Sequence, residues 1–253
     1  MQEDTAHKYR APALEKGLEV LELLAACEAP LTLSQISVQL DRSVGELFRV
    51  VQVLETRGYA APAGQGDGLE LTNKVFSLGI SRGPDQNLVS GAVPYMQAMS
   101  ALSRQACHLA IASDDTMIVI ARTEAPEDLG FAVRLGHQRH LCESTSGIVL
   151  YAFQRPARRK AWGARLRRAL TEEAWRTFEA RAQRAVAAGH VAVASAYVDG
   201  VVDISCPVMD DTGVIAALTM PFIRAAGGTD IDEASACLKV AAGELSRALG
   251  YVR

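Results

Sequence analysis

The chain has 253 residues, 49% of them hydrophobic and 22% charged, with a formal net charge of −3. That composition excludes a disordered or fibrous chain and supplies one large domain or two smaller ones with cores of their own. No apolar run reaches the roughly 18 residues of a membrane span, and the polar start, Met1 to Arg10, lacks the apolar stretch of a signal peptide. Five cysteines are dispersed at 27, 107, 142, 206 and 237 without a close pair, the usage of reduced thiols in the cytoplasm.

Apolar residues at 14, 18, 21 and 24–25 form one stripe at helical spacing, and Glu15, Glu19 and Glu22 take the other face, so the spacing predicts a first helix over 13–24. Thr32 with Gln35 and Ser43 with Glu46 each have the form of a capping box. They open two further helices, one carrying Leu33, Ile36 and Leu40, the other Leu47, Val50, Val51 and Leu54. Two short helices joined by a tight connection at Asp41-Arg42 are a helix-turn-helix. The strand-like pieces 58–61 and 68–71, separated by the turn-forming segment 62–67, make a wing. Thr72 caps a linker helix over 73–80, and 83–87 reads as a hinge.

Beyond the hinge the pattern changes. A helix is predicted over 89–107, a hairpin from 109–112 and 117–121, and a strand over 131–135. Helices follow at 144–153, 156–170 and 171–188. Strands at 190–196, 201–209 and 214–222 turn at Asp199-Gly200 and at 210–213, and a helix over 232–249 closes the chain. Mixed strands flanked by helices indicate an α+β fold of the sensing type. The domains expected are a winged helix-turn-helix over 1–72, a linker helix and hinge over 73–87, and an effector-binding and oligomerisation domain over 88–253.

The order of these elements resembles the IclR family of bacterial transcriptional regulators from about Ala13 to Gly250. The opening helix Ala13-Leu14-Glu15-Lys16-Gly17-Leu18 carries the resemblance, as do Arg49, Leu54 and Gly58-Tyr59, and Leu71-Thr72-Asn73 with Leu78-Gly79. So do Leu141-Cys142-Glu143-Ser144-Thr145-Ser146-Gly147, and Cys206-Pro207-Val208-Met209-Asp210 with Gly213. The resemblance implies a GAF-like mixed α/β effector-binding domain behind the winged helix, no cofactor, and homodimers or dimers of dimers on a double-stranded DNA operator. Two departures stand out. Ser43, Val44, Gly45 and Glu46 replace the Pro-Lys-Ser-Thr often found at the start of the recognition helix, and Cys142 stands where a His is common.

A recognition helix points its N-terminal residues at the base edges. The DNA-contacting set is therefore Arg42, Ser43, Val44, Glu46, Leu47 and Arg49, with Gln65 in the wing; Leu47 belongs at once to this set and to the inner stripe. Lys8 and Arg10 belong either to a disordered tail or to an arm that reaches the minor groove. Bulk charge opposes this reading: residues 1–80 carry seven Lys/Arg against eleven Asp/Glu, where a DNA-binding domain usually shows a basic surplus. For the effector, the free N–H groups at a helix start suit an anion. The resemblance points to Phe131, Thr145, Ser146, Asp203, Ser205 and Thr219, and Cys142 and Ser144 of the same loop complete the expected effector set; the Ser/Thr-rich helix start suggests an acidic or hydroxylated molecule, and Phe131 and Tyr151 allow an aromatic one.

His137, His140 and Cys142 are weak metal candidates, and no metal is expected. No phosphate loop, nucleophile elbow or zinc-protease motif is present, so no enzyme is expected. The competing reading is a ligand-binding or enzymatic α+β protein whose winged helix makes protein contacts.

Overall fold

The computed structural model describes residues 11–27, 29–64, 68–75, 78, 84–126, 130–224 and 228–251. The chain divides into two compact units, Met1–Gly83 and Pro84–Arg253.

In the first unit, α1 (Pro12–Ala26), α2 (Leu33–Gln39) and α3 (Val44–Thr56) precede the two-stranded sheet of β1 (Ala60–Pro62) and β2 (Leu69–Leu71). Both capping boxes form: the Thr32 hydroxyl accepts from the Gln35 N–H and the Ser43 hydroxyl from the Glu46 N–H. Each fixes its helix start by satisfying orphan donors. Between α2 and α3 the chain turns through Asp41 at φ +50°, a left-handed conformation that Asp tolerates better than most residues. Val20, Leu24, Ile36, Leu47, Val51 and Leu54 close the core between the three helices. Strands β1 and β2 pair antiparallel, Ala60 opposite Leu71, and Leu31 adds a bridge to Leu69. Pro62, read as turn, is the last residue of β1. The Thr72 hydroxyl accepts from the Lys74 N–H, as a cap should, and Lys74, Val75 and Leu78 are helical.

The second unit is built on one antiparallel sheet in the order β5-β4-β3-β8-β7-β6. Its strands are β3 (Cys107–Ser113), β4 (Thr116–Thr123), β5 (Gln138–His140), β6 (Val191–Ala194), β7 (Val201–Asp210) and β8 (Gly213–Ile223). One face is covered by α4 (Pro84–Ser103) and α8 (Ile231–Ala248), whose Met96, Met99, Leu238 and Leu245 pack on Leu109, Ile204, Leu218 and Met220. The other face meets α5 (Thr145–Ala152) and α7 (Glu172–Ala188), through Ile148, Phe178 and Ala182 against Ala110, Ala217 and Val191. The helix α6 (Pro156–Leu166) links these two. Burial on both faces is why 214–222 reads as an almost unbroken apolar run.

Three expectations are corrected. The segment 131–135 has no strand; it is irregular before a turn at 135–136. β4 instead pairs with β5, in a segment where no strand was expected. Residues 84–87 are the first turn of α4 rather than a hinge, and α4 ends at Ser103 because Cys107 opens β3.

The seat of α5 is the tightest contact in this unit. A Cβ on Gly147 would lie 2.1 Å from the Leu141 carbonyl oxygen, so only glycine admits that approach. Gly147→Ala should destabilise the protein by at least about 3 kcal/mol, in the range of a severe overpacking or strain effect. Gly243→Ala, inside α8 with nothing within 4 Å of the added carbon, should stabilise it by about 0.5–1 kcal/mol. Denaturant midpoints check both; equal effects would contradict this account of the α5 seat.

Candidate functional site

Two groups of residues stand apart from the packing. The first lies on α3. Leu47, Val51 and Leu54 face the core, so the opposite face carries Gly45, Phe48, Arg49 and Gln52, all exposed. Leu47 is 0% exposed; its place among the DNA contacts is corrected, because it is a core residue. Val44 and Arg49 are free of the core, as expected. Ser43 is the N-cap of α3.

Arg42 and Glu46 are engaged within the protein. The Arg42 guanidinium donates to both carboxylate oxygens of Glu19 at 2.7 and 2.8 Å, which lowers the Glu19 pKa and raises that of Arg42. Lys16 donates to Glu46 at 2.8 Å. That contact, with the Ser43 N–H and hydroxyl, holds the Glu46 carboxyl down at about 2. The donor Lys16 and the acceptor Glu19 lie three residues apart on one face of α1, so α1 clamps the start of α3 from the side. Gln65, Lys8 and Arg10 lie outside the described residues. Phe48 and Gln52 escaped the sequence reading, although helical spacing puts both off the inner stripe of Leu47, Val51 and Leu54.

The second group lies between the sheet and the N-terminus of α5. The register places His108 opposite Thr219 and Thr219 opposite Ser205, a row across β3, β8 and β7. The Ser205 and Thr219 hydroxyls are 2.8 Å apart, and Thr219 is 2.9 Å from the Ser146 hydroxyl of α5. Ser146 in turn lies 3.4 Å from His108 Nε2. The other ring nitrogen, Nδ1, is buried with no hydrogen-bond partner among the described residues. Burial, reinforced by nearby His137, depresses the His108 pKa to about 4, so the ring is neutral near pH 7. Two residues along β7 from Ser205, Asp203 accepts a 3.4 Å hydrogen bond from the Thr145 hydroxyl. Burial raises its pKa, against the hydrogen bonds from Ser195 and Thr145.

Ser144 caps α5 by accepting from the Gly147 N–H at 3.0 Å. The segment after β6 is pinned beside this helix start: the Tyr197 hydroxyl donates to the Glu143 carbonyl at 2.8 Å, and the Arg139 guanidinium lies 4.1 Å over the Tyr197 ring. Thr145, Ser146, Asp203, Ser205 and Thr219 are thus brought together. Phe131 is half-buried on its irregular segment. Cys142 borders α7, beside Thr171, Phe178 and Arg181, with its thiol pushed up to about 12 by burial and by Glu143 and Asp115. His108, central to the row, had no place in the sequence-based set, since only the strand register shows it.

The metal candidates do not assemble. His140 Nδ1 accepts from the Cys142 N–H, and no cluster of three or more His, Cys, Asp or Glu suited to a metal occurs among the described residues. No helix there is long and apolar enough to cross a membrane.

A helix-turn-helix unit followed by a sheet unit with a buried polar row is the architecture of a regulator with separate DNA-binding and sensing parts. Residues 13–63 match the IclR helix-turn-helix domain and residues 84–247 the bacterial transcriptional regulator IclR C-terminal domain. The chain belongs to the IclR family of bacterial transcriptional regulators. Among curated relatives, it is 27% identical over 139 residues to the HTH-type transcriptional regulator KdgR of Dickeya chrysanthemi, covering 54% of this chain and 46% of that protein. It is 26% identical over 140 residues to the repressor AllR of Escherichia coli K12, covering 55% and 52%. The chain spans about half the length of the curated relatives it matches. Among solved structures, an IclR homolog from Microbacterium hydrocarbonoxydans complexed with 4-hydroxybenzoate shares the fold at TM-score 0.77 and 19% identity, covering 94% of this chain and 98% of that one. Pseudomonas aeruginosa HmgR does so at TM-score 0.74 and 21% identity, covering 95% and 100%.

The neutral state of His108 carries a pH signature. Between pH 6.5 and about 4 an unfolded histidine takes up a proton that the folded ring refuses. Stability therefore falls as pH drops through that window. The raised Asp203 acts oppositely, since its cost above its unfolded pKa fades as the carboxyl is protonated. His108→Gln should lose less stability than the wild type across this window, by on the order of 3 kcal/mol. Denaturant midpoints at pH 7 and pH 4 measure it; identical losses would mean that the ring is not held neutral.

Proposed function

We propose that the chain is a sequence-specific DNA-binding regulator whose operator affinity is set by a small organic effector bound between α5 and the sheet. The observation that carries the effector site is the buried row of His108, Ser146, Thr219 and Ser205, with an imidazole nitrogen that has no partner among the described residues. A buried polar atom without a partner costs about 1–3 kcal/mol, and such departures from packing rules concentrate at functional sites.

The row supplies uncharged donors and acceptors. The helix start favours an anionic group, and Asp203 can accept from a hydroxyl. A small hydroxylated or aromatic acid meets all three, and the 4-hydroxybenzoate complex of the Microbacterium homolog supports that class. The protein acts without chemistry of its own: an effector shifts operator affinity only by binding one state better than another. It works in the cytoplasm as a homodimer or dimer of dimers. With few cations in the DNA-binding unit, affinity comes from joining subunits on half-sites about 34 Å apart.

A genomic pull-down across a salt series tests the DNA reading. One repeated site should be enriched, with affinity falling as salt rises. Arg49→Ala should weaken that site about tenfold or more, since a good Arg–guanine pair is worth about 1–3 kcal/mol. Weak binding without sequence preference would favour a winged helix that contacts protein instead. For the effector site, Asp203→Asn should keep or raise the thermal midpoint at pH 7, because burial penalises the charged form, and should abolish the effector response. A drop in the midpoint with the response intact would assign Asp203 to the scaffold.

A further inference from the structure

Helix α3 shows solvent an apolar pair that neither packing nor capping requires. Val44 is 44% and Phe48 is 49% exposed, one turn apart on the same flank. A phenyl ring gains free energy by turning inward, and here the inward positions are already filled by Leu47, Val51 and Leu54. The charged groups at the start of α3 are held by α1, Arg42 by Glu19 and Glu46 by Lys16. Gly45 between them has nothing within 4 Å of a built Cβ. The N-terminal end of the outward face therefore carries no side chain at Gly45, and the helix backbone can lie close to a surface there while Val44 and Phe48 reach it.

In the major groove the apolar feature of a base edge is the C5-methyl group of thymine. We propose that Val44 and Phe48 read thymine by contact with these methyl groups, as the apolar half of a surface whose polar half is Arg49 and Gln52. This rests on α3 being the helix that enters the groove. Phe48 shares its face with Arg49, the cation of α3, which has no ion-pair partner among the described residues. That placement fits a phosphate-lined groove rather than an apolar protein surface.

The test selects an operator from random duplexes with the full chain, then replaces each thymine singly by deoxyuridine, which removes the methyl group alone. At one or more positions per half-site the Kd should rise about fourfold, the effect of one buried methyl-sized group. Phe48→Ala should bind thymine and uracil duplexes equally at one such position, with the salt dependence of the wild type; Val44→Ser should do so at a neighbouring one. The uracil series on the wild type stands even where a variant fails to fold. The proposal falls if no replacement changes Kd by more than about twofold, or if folded Phe48→Ala and Val44→Ser both keep the full difference. If Arg49→Ala and Gln52→Ala also leave the selected site bound as by the wild type, α3 is not the reading helix and the DNA assignment falls with it. If those two variants weaken binding while the uracil series is silent, the DNA assignment stands and the methyl contact alone is overturned.

Discussion

The larger unit depends on how closely α5 approaches the sheet. Gly147 lets the start of α5 fold back against the Leu141 carbonyl in the turn before it, and the same helical turn carries the Ser146 hydroxyl that meets Thr219 and His108. The same approach sets the α5 start beside Asp203. A carboxylate raised by burial and an imidazole lowered by burial thus share one site with hydroxyl groups between them. Titratable groups pushed apart in this way are the kind that concentrate at functional sites.

The smaller unit is governed by a comparable economy of contacts. Lys16 and Glu19 on α1 take up Glu46 and Arg42 of the next two segments. These exposed ion pairs add little stability. Their consequence is for recognition: they remove two charges from the set that can meet DNA and leave Gly45, Phe48, Arg49 and Gln52 to form the outward face. A unit with a surplus of acidic residues can still bind DNA, because affinity depends on the few groups that face the groove and on the pairing of subunits.

What the sequence made legible was local. Thr32 with Gln35, and Ser43 with Glu46, lie three residues apart, and both boxes form. The turn at 210–213 joins adjacent strands and was readable for the same reason. The segment 131–135 looked like a strand because it is apolar; the place beside β4 is taken by β5 instead. Leu47 was drawn into the DNA set by its place in the motif although its spacing put it inside, and the core claimed it. His108 could not be found, because its partners lie 38 residues away at Ser146 and, across the strand register, at Thr219.

The central claim is that ligand occupancy of the polar row governs DNA affinity. The direct measurement is the operator Kd, titrated with small carboxylic and hydroxylated aromatic acids including 4-hydroxybenzoate, for the wild type and for Thr219→Val. That variant keeps the side-chain shape and removes the hydroxyl that joins Ser146 to Ser205. The account predicts that at least one acid shifts the wild-type Kd by about fivefold or more, that the variant does not respond, and that both bind the operator equally without ligand. A variant that responds as the wild type does, or a panel in which no acid shifts the wild-type Kd, would contradict it.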